Sequence, residues 1–269
     1  MQARKLTLCQ GWMWPAAAFA LFRRNPAQLT VIVLGYWLIV AFVNALPAVG
    51  PVLAALSIPA FSVGLMQACR EADRGQPVLF QTLFAGFLSH RKTLLVLGAL
   101  YLLMSLLALA ASSLADGGLF MHTLLGNHRP SEAEIAGGEL LPGAQVALLL
   151  MTPVIMAWWF APVLVAWHGF GAGKALFFSF FACARNWKAF LAYGLCMAAF
   201  GAILPGLLLG VLVAAFPGLA PFISSMLIVP MLLILAPTLI ASLYVSYREI
   251  FSDDTASRPR VGSEVDTNA

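Results

Sequence analysis

A cluster of tryptophan and histidine residues is the most distinctive group of chemically capable side chains in the sequence. Trp158 and Trp159 are followed by Trp167 and His168. An imidazole titrates near neutral pH, and an indole combines a large apolar ring with one N–H donor. The four side chains are therefore candidates for a ligand pocket. The alternative is that Trp167 and His168 form part of an aromatic belt and that Trp158 and Trp159 are packing residues.

A glycine-rich stretch ending in a lysine, 169–174, has partial similarity to a phosphate-binding loop. That motif requires a glycine where this chain has His168, and a serine or threonine where it has Ala175. The stretch is therefore interpreted as a flexible break between two helices.

The remaining reactive side chains predict no catalytic, cofactor or metal site. His122, His128 and the acids of segment 116–143 have no spacing that is typical of zinc sites. The 4 cysteines form no Cys-x-x-Cys pair and are expected to be free thiols. We expect a protein without cofactors that is not an enzyme.

The composition is that of a membrane protein. Of the 269 residues, 61% are hydrophobic and only 10% are charged, whereas soluble domains carry about 25% charged residues. So few charges cannot cover a globule in water. The net charge of +4 comes from basic residues scattered between apolar runs, which argues against a nucleic-acid partner because that requires a clustered basic face.

The positions that carry no Asp, Glu, Lys or Arg predict six transmembrane helices. Such stretches cover 25–69, 93–115, 140–173 and 189–247, and one crossing needs about 20 residues. The first and last stretches are long enough for two crossings and contain proline-rich centres, which read as turns. The predicted spans lie near 28–47, 51–69, 93–115, 145–167, 189–215 and 222–246.

The polar segments complete this organisation. We expect one membrane domain over 1–251, with an outer loop at 116–143, and a disordered cytoplasmic tail at 252–269, which lacks apolar periodicity. With six spans, 14 of the 15 basic residues fall on one side of the membrane and only Arg129 falls on the other. The positive-inside rule therefore places both termini in the cytoplasm. Basic residues at the span ends are candidate interface anchors: Arg23, Arg24, Arg70, Arg91, Lys92, Arg185, Lys188 and Arg248.

The chain also shows a threefold repeat. Short apolar stretches at 12–22, 77–88 and 175–184 each precede a polar break and a pair of spans. They are too short to cross a bilayer and suit helices that lie in the interface. The sequence thus predicts an all-α protein built of three transmembrane hairpins, each preceded by an interfacial helix.

Two units of the repeat also share a spacing. Pro59 stands eleven residues before Arg70-Glu71, and Pro237 stands eleven residues before Arg248-Glu249. Eleven helical residues rise about 16 Å. We therefore expect the two arginines to lie at equivalent depths.

Three segments resemble those of an uncharacterised family of bacterial six-span inner-membrane proteins. They are Phe22–Pro26, Phe160–Gly169 and Gly173–Phe180, and the resemblance extends over 1–251. It implies location in the inner membrane and brings no known activity, substrate or site.

Three functional classes are compatible with these features. A non-enzymatic envelope or scaffold component agrees with the interfacial helices and the lack of catalytic residues. A channel or carrier for a small or lipid-like substrate agrees with the repeat and the proline-containing spans. A membrane-embedded lipid enzyme requires an acid–base pair that the spacing does not supply. Membrane lipid is an expected partner, as are further copies of the chain or other membrane proteins.

Overall fold

The computed structural model describes residues 4–47, 49–126 and 128–251, and these residues form helices and connecting turns without a β-strand. The predicted tail, 252–269, lies outside them. In chain order the α-helices are α1 (Leu8–Phe22), α2 (Pro26–Asn44), α3 (Gly50–Asp73), α4 (Ala85–Leu88), α5 (Arg91–Asp116), α6 (Leu119–Leu124), α7 (Glu132–Gly137), α8 (Leu141–Trp158), α9 (Ala161–His168), α10 (Ala172–Arg185), α11 (Trp187–Ala198), α12 (Leu204–Ala215) and α13 (Ala220–Phe251). A 3-10 turn at Phe80–Phe84 precedes α4, and a π-helical turn at Ala199–Ile203 joins α11 to α12.

Six helical segments are long and apolar enough to cross a bilayer, which confirms the predicted all-α membrane fold. They are Pro26–Asn44, Gly50–Asp73, Arg91–Asp116, Leu141–His168, Trp187–Ala215 and Ser224–Phe251. Consecutive spans pack as pairs, α2 with α3, α5 with α8, and α12 with α13. The fold therefore consists of three hairpins.

A proline interrupts the fourth span. Pro162 follows the break between α8 and α9 and lacks the N–H that would continue the hydrogen-bond ladder. The break also separates the Phe160 N–H from the Met156 carbonyl four residues earlier, and the buried Ser179 of α10 bridges these two groups. Its hydroxyl accepts from the Phe160 N–H at 2.9 Å and donates to the Met156 carbonyl at 2.9 Å. In hydrocarbon an unpaired backbone group costs several kcal/mol, so α10 stabilises the break.

The short segments before the hairpins close the molecule into a ring. The 3-10 turn and α4 pack on α3 of the first hairpin, and α10 packs on α8 and α9 of the second. The first segment, α1, packs on α11 and α13 of the third. Each short segment thus contacts the preceding hairpin, and the first contacts the last, as a cyclic threefold repeat requires.

Two of the predicted interfacial helices need correction in detail. Within 77–88, only Phe80–Leu88 is helical, as a 3-10 turn and one turn of α-helix, and this segment passes so close to α3 that a Cβ at Gly64 would overlap the Leu83 carbonyl. The first helix starts at Leu8 rather than at residue 12, and its Trp14 is fully buried. The Trp14 indole donates to the Glu249 carboxylate at 2.8 Å. α1 is therefore part of the packed core.

The buried Asn186 fixes the N-terminal segment against the third hairpin. Its amide oxygen accepts from the Leu6 N–H at 2.7 Å, and its amide nitrogen donates to the Arg4 and Ala182 carbonyls at 2.9 Å. The Arg4 N–H in turn donates to the Ile250 carbonyl at 2.9 Å. The corner between α10 and α11 and the end of α13 are thereby held together.

Replacing Gly64 with alanine should destabilise the protein, whereas the same change at Gly194 should not. A Cβ at Gly64 would overlap the Leu83 carbonyl, whereas a Cβ at Gly194 would meet no atom within 4 Å. Overpacking of this kind costs about 1–3 kcal/mol, while alanine in an open helix position gains up to about 1 kcal/mol over glycine. Thermal unfolding of both variants in detergent measures the difference. Equal midpoints would contradict the close contact between α3 and the second short segment.

Candidate ligand-binding sites

The second spans of the three hairpins meet at the centre of the bundle. Phe160, at the break between α8 and α9, has its ring 6.0 Å from that of Tyr247 and 5.4 Å from that of Phe251, both in α13. Trp167 lies 5.1 Å from Tyr247, and α3 packs on both α9 and α13. The site residues predicted from sequence lie along this central group of helices.

An apolar cavity of about 300 Å³ lies among the spans, and we call it the central cavity. Every hairpin contributes to its wall, whose residues include Pro59, Ser62, Tyr101, Trp158, Trp159 and Ile240. Tyr193 also lines it, but its hydroxyl is already bonded to the Ser242 hydroxyl at 2.7 Å. The cavity therefore presents mainly hydrocarbon and aromatic surface.

A second apolar pocket, of about 380 Å³, lies between α8, α10 and α11, and we call it the lateral groove. It shares Ile155 and Trp159 with the central cavity, so that these two side chains separate the pockets. Trp187 and Leu191 on its outer side are each more than half exposed. Burial raises the pKa of the Cys183 thiol in its wall to about 12, so the thiol is neutral. The lateral groove thus connects the surroundings of the bundle to the wall of the central cavity.

The two neighbouring tryptophans have different polar environments. The Trp158 indole donates to the Leu97 carbonyl at 3.0 Å, which joins the fourth span to α5. The Trp159 indole nitrogen is buried and has no hydrogen-bond partner among the described residues. Its ring packs nearly perpendicular to those of Phe190 and Tyr193. An unpaired buried donor is rare in proteins, and it stands here in the wall that divides the two pockets.

A polar depression of about 330 Å³ lies at one end of the same three spans, and we call it the basic basin. Its wall consists of Arg70, Arg74, Trp167, His168, Tyr244, Tyr247, Arg248 and Phe251. The Arg70 guanidinium lies 4.6 Å from the centroid of the Trp167 ring, a cation–π contact. The His168 imidazole bonds the Tyr247 hydroxyl at 2.7 Å. Arg70 and Arg248 line the same basin, and the equivalence of their depths stays a prediction.

Asp73 organises the charges beside the basic basin. Its carboxylate pairs with Arg248 at 2.6 Å and with Arg24 at 3.6 Å. It also accepts a hydrogen bond from the Tyr244 hydroxyl at 3.0 Å. The neighbouring carboxylates point to other partners, since Glu71 accepts from Thr82 and Glu249 from Trp14. Asp73 thus connects the first hairpin to the third and holds Arg248 in place.

The structure divides the predicted residues among several locations. Trp158 and Trp159 line the central cavity, whereas Trp167 and His168 join Arg70 and Arg248 in the basic basin. Arg91 and Lys92 line a separate open pocket beside His90. The other candidate anchors, Arg23, Arg24, Arg185 and Lys188, line none of these pockets.

Sequence reasoning missed several functional candidates in the basin. The sequence predicts no site role for Arg74, Tyr244 and Tyr247, which line the basin, or for Asp73 beside it. The spacing of Tyr244, Tyr247 and Arg248 on one face of a helix was an available signal.

The segment between α6 and α7 forms a local polar network. The Ser131 backbone N–H, the Ser131 hydroxyl and the His128 imidazole all bond Glu134, and they lower the pKa of its carboxyl. This arrangement is a capping box that starts α7. Among the described residues no group of three His, Cys, Asp or Glu side chains is placed to hold a metal ion.

These features define the class of the protein as a polytopic α-helical membrane protein with six spans and ligand-sized pockets. A protein of Burkholderia thailandensis described as a probable inner membrane protein is 35% identical to this chain, over 99% of the chain and 100% of the relative. The chain belongs to this family of inner-membrane proteins, as its resemblance indicated. No family model matches the chain, and no solved structure matches it.

The hydrogen-bonding difference between Trp158 and Trp159 predicts different effects of the same substitution. Trp158→Phe removes a bond to the Leu97 carbonyl, whereas Trp159→Phe removes an unpaired buried N–H. Both variants lose the same ring volume. We expect Trp158→Phe to be the less stable of the two by about 1–3 kcal/mol. Unfolding midpoints measured side by side in one detergent test this, and the reverse order would show that Trp159 has a polar partner.

Proposed function

We propose that this inner-membrane protein is not an enzyme and binds a lipid-like molecule in its central cavity, as a carrier of such a substrate would. The observation that supports this most is the apolar cavity of about 300 Å³ within the spans, beside a groove that opens to the side of the bundle. Ligand pockets for small molecules begin at about this size. A protein that served only as a rigid scaffold would not need such a space.

The lining of the cavity favours hydrocarbon over a polar substrate. Burying a polar group against apolar walls without a hydrogen bond costs about 2–7 kcal/mol. The hydroxyls in the wall belong to Ser62, Tyr101 and Tyr193, and that of Tyr193 is already paired with Ser242. A hydrocarbon chain carries no such penalty and is present at high concentration in the bilayer.

The position of Trp159 favours entry from the side. Its ring belongs to the walls of both the central cavity and the lateral groove. Its unpaired N–H means that no hydrogen bond from the indole to another described residue opposes rotation of the side chain. Rotation of this ring would join the two pockets into one path from the lipid side to the bundle centre.

The cavity lining also favours binding over catalysis. Its polar side-chain groups are hydroxyls and the indole N–H groups of Trp158 and Trp159. An indole N–H is only a hydrogen-bond donor, and a hydroxyl acts as nucleophile or acid only when a base or a charge activates it. Ser62 and Tyr101 face apolar and aromatic neighbours in the cavity wall.

Filling the central cavity should weaken ligand binding. Ser62→Phe places a ring into the space, and Val211→Phe adds a similar ring at a position on α12 that is 66% exposed. The probe is a fatty acid brominated along its chain, which should quench Trp158 and Trp159 saturably when bound. We expect Ser62→Phe to weaken the saturable quenching at least roughly tenfold, about 1.4 kcal/mol, and Val211→Phe to leave it unchanged.

Ile240→Phe fills the same space from α13 and serves as an independent variant. Thermal unfolding of each variant tests whether it remains folded. Unchanged quenching in two folded cavity-filling variants would refute the proposed site.

A specific observation supports assembly with another membrane protein as a second candidate function. Only 6% of the apolar window in the span Trp187–Ala215 is buried, against 56% in Gly50–Asp73. A Cβ at Gly206 or Gly210 in this span would meet no atom within 4 Å. Small residues spaced in this way allow close helix packing in membranes, so a second copy or another protein is the expected partner of this face.

The proposed orientation, with both termini in the cytoplasm, predicts opposite labelling of two positions. Arg129→Cys, between α6 and α7, should react with a membrane-impermeant maleimide in intact spheroplasts. Gln81→Cys should react only after permeabilisation; it is preferred to its neighbour Thr82, whose hydroxyl bonds Glu71 at 2.9 Å. Both substitutions are made in a background without the 4 native cysteines. Labelling of Gln81→Cys from outside would show that the orientation is the reverse of the one proposed.

A further inference from the structure

We propose that the basic basin is a binding site for the phosphate group of an anionic membrane lipid. This inference goes beyond the proposed ligand of the central cavity, because it assigns a second site with a different chemistry. The basin combines three guanidinium groups, from Arg70, Arg74 and Arg248, with the imidazole of His168. Guanidinium groups bind phosphate through paired N–H donors, and their charge does not depend on pH in the physiological range.

The carboxylates near the basin leave part of this positive charge uncompensated. Asp73 pairs with Arg248 and Arg24. Among the described residues, no hydrogen bond or ion pair joins the side chain of Arg70 or Arg74 to a carboxylate. Glu71 and Glu249 contribute negative charge beside the basin, but both carboxylates accept hydrogen bonds from neighbours outside it. Two guanidinium groups therefore have donors available for an anion.

The Arg70 guanidinium is held in a position suited to this role. Its carbon atom lies 4.6 Å from the centroid of the Trp167 ring. This cation–π contact restrains the Arg70 side chain, which lowers the entropy lost when an anion binds. Among the described residues, none of the five N–H donors of Arg70 is paired with a carboxylate.

The location of the basin favours a lipid headgroup over a dissolved anion. Arg70 and Arg248 each follow a mid-span proline by eleven residues, or about 16 Å, which is half the thickness of the hydrocarbon layer. The basin therefore lies at the depth where lipid phosphates are found. Trp167, Tyr244 and Tyr247 surround it, and aromatic residues of this kind concentrate in the interface.

The basin and the central cavity are separate along the helices. On α3, Ser62 lines the cavity and Arg70 lines the basin, and Met66, one turn from each, is fully buried between them. Substitutions in one site should therefore leave ligand binding at the other site intact.

Thermal unfolding of the full-length protein in a neutral detergent tests the proposal. The probes are dioctanoyl phosphatidylglycerol, dioctanoyl phosphatidylcholine and inorganic phosphate. A ligand that binds the folded state raises its unfolding midpoint. We expect a saturable rise with phosphatidylglycerol, weakened by added salt, and no comparable rise with the other two probes. An equal rise with phosphate would show an anion site that does not recognise lipid, and an equal rise with phosphatidylcholine would refute recognition of net headgroup charge.

Arg70→Gln combined with Arg74→Gln removes the two uncompensated charges. Loss of each charge-assisted contact should weaken phosphatidylglycerol binding about tenfold. The rise in unfolding midpoint should therefore vanish over the phosphatidylglycerol concentrations that stabilise the wild-type protein. The matched control combines Arg185→Gln with Lys188→Gln, which removes the same charge near the same end of the bundle but outside the basin. Arg74→Gln alone is the milder variant, since Arg74 lies exposed beyond the end of α3.

The outcomes separate this inference from the proposed function. If phosphatidylglycerol still raises the unfolding midpoint of the folded Arg70→Gln, Arg74→Gln variant, the assignment of the basin as its binding site is overturned. If the folded Ser62→Phe variant loses fatty-acid quenching but is still stabilised by phosphatidylglycerol, the central cavity and the basic basin are two independent binding sites. If wild-type protein shows fatty-acid quenching but no shift with phosphatidylglycerol, only the inference about the basin fails.

Discussion

The constraint on which this structure depends is that backbone polar groups inside a bilayer must find partners within the protein. Prolines in the spans make this difficult, because each removes a donor and frees a carbonyl. The break at Phe160 shows the solution: Ser179, from a helix of the next repeat unit, supplies both a donor and an acceptor to the interrupted span. Packing of the short segments on the hairpins is therefore also a means of completing the hydrogen bonding of the spans.

The dependence of each hairpin on a short packing segment also explains why the repeat closes into a ring. Each hairpin carries a surface that the next short segment covers, and α1 covers the surface of the third hairpin. Asn186 and Trp14 make this closure specific through buried hydrogen bonds. The second spans then converge on the centre of the bundle. Arg70 and Arg248 line one basin there, together with Trp167 and His168 of the middle unit.

The architecture was predictable from the sequence because the physical signals are strong and local. The charge-free stretches and the proline-rich centres identify the six spans that the structure contains among its described residues. The candidate sites were less accessible. Trp158 and Trp159 are identical neighbours in the sequence, yet one bonds Leu97 and the other lies between two pockets, since adjacent helical positions face different directions. Asp73 is the last residue of α3, and its pairing with Arg248 depends on contacts between the first and third hairpins that no local sequence pattern predicts.

The departures from exact repetition coincide with the candidate sites. The middle unit ends its second span at His168, so an imidazole and an indole stand where the other units have arginines. A further arginine at this point would add like charge beside the three guanidinium groups of the basin, whereas Trp167 supplies a ring that makes a cation–π contact with Arg70. In the third unit the span Trp187–Ala215 packs loosely, and the lateral groove lies on the side of its first helix that faces α8. The departures of the second and third units from exact repetition therefore accompany a basin at one end of the bundle and an opening at its side.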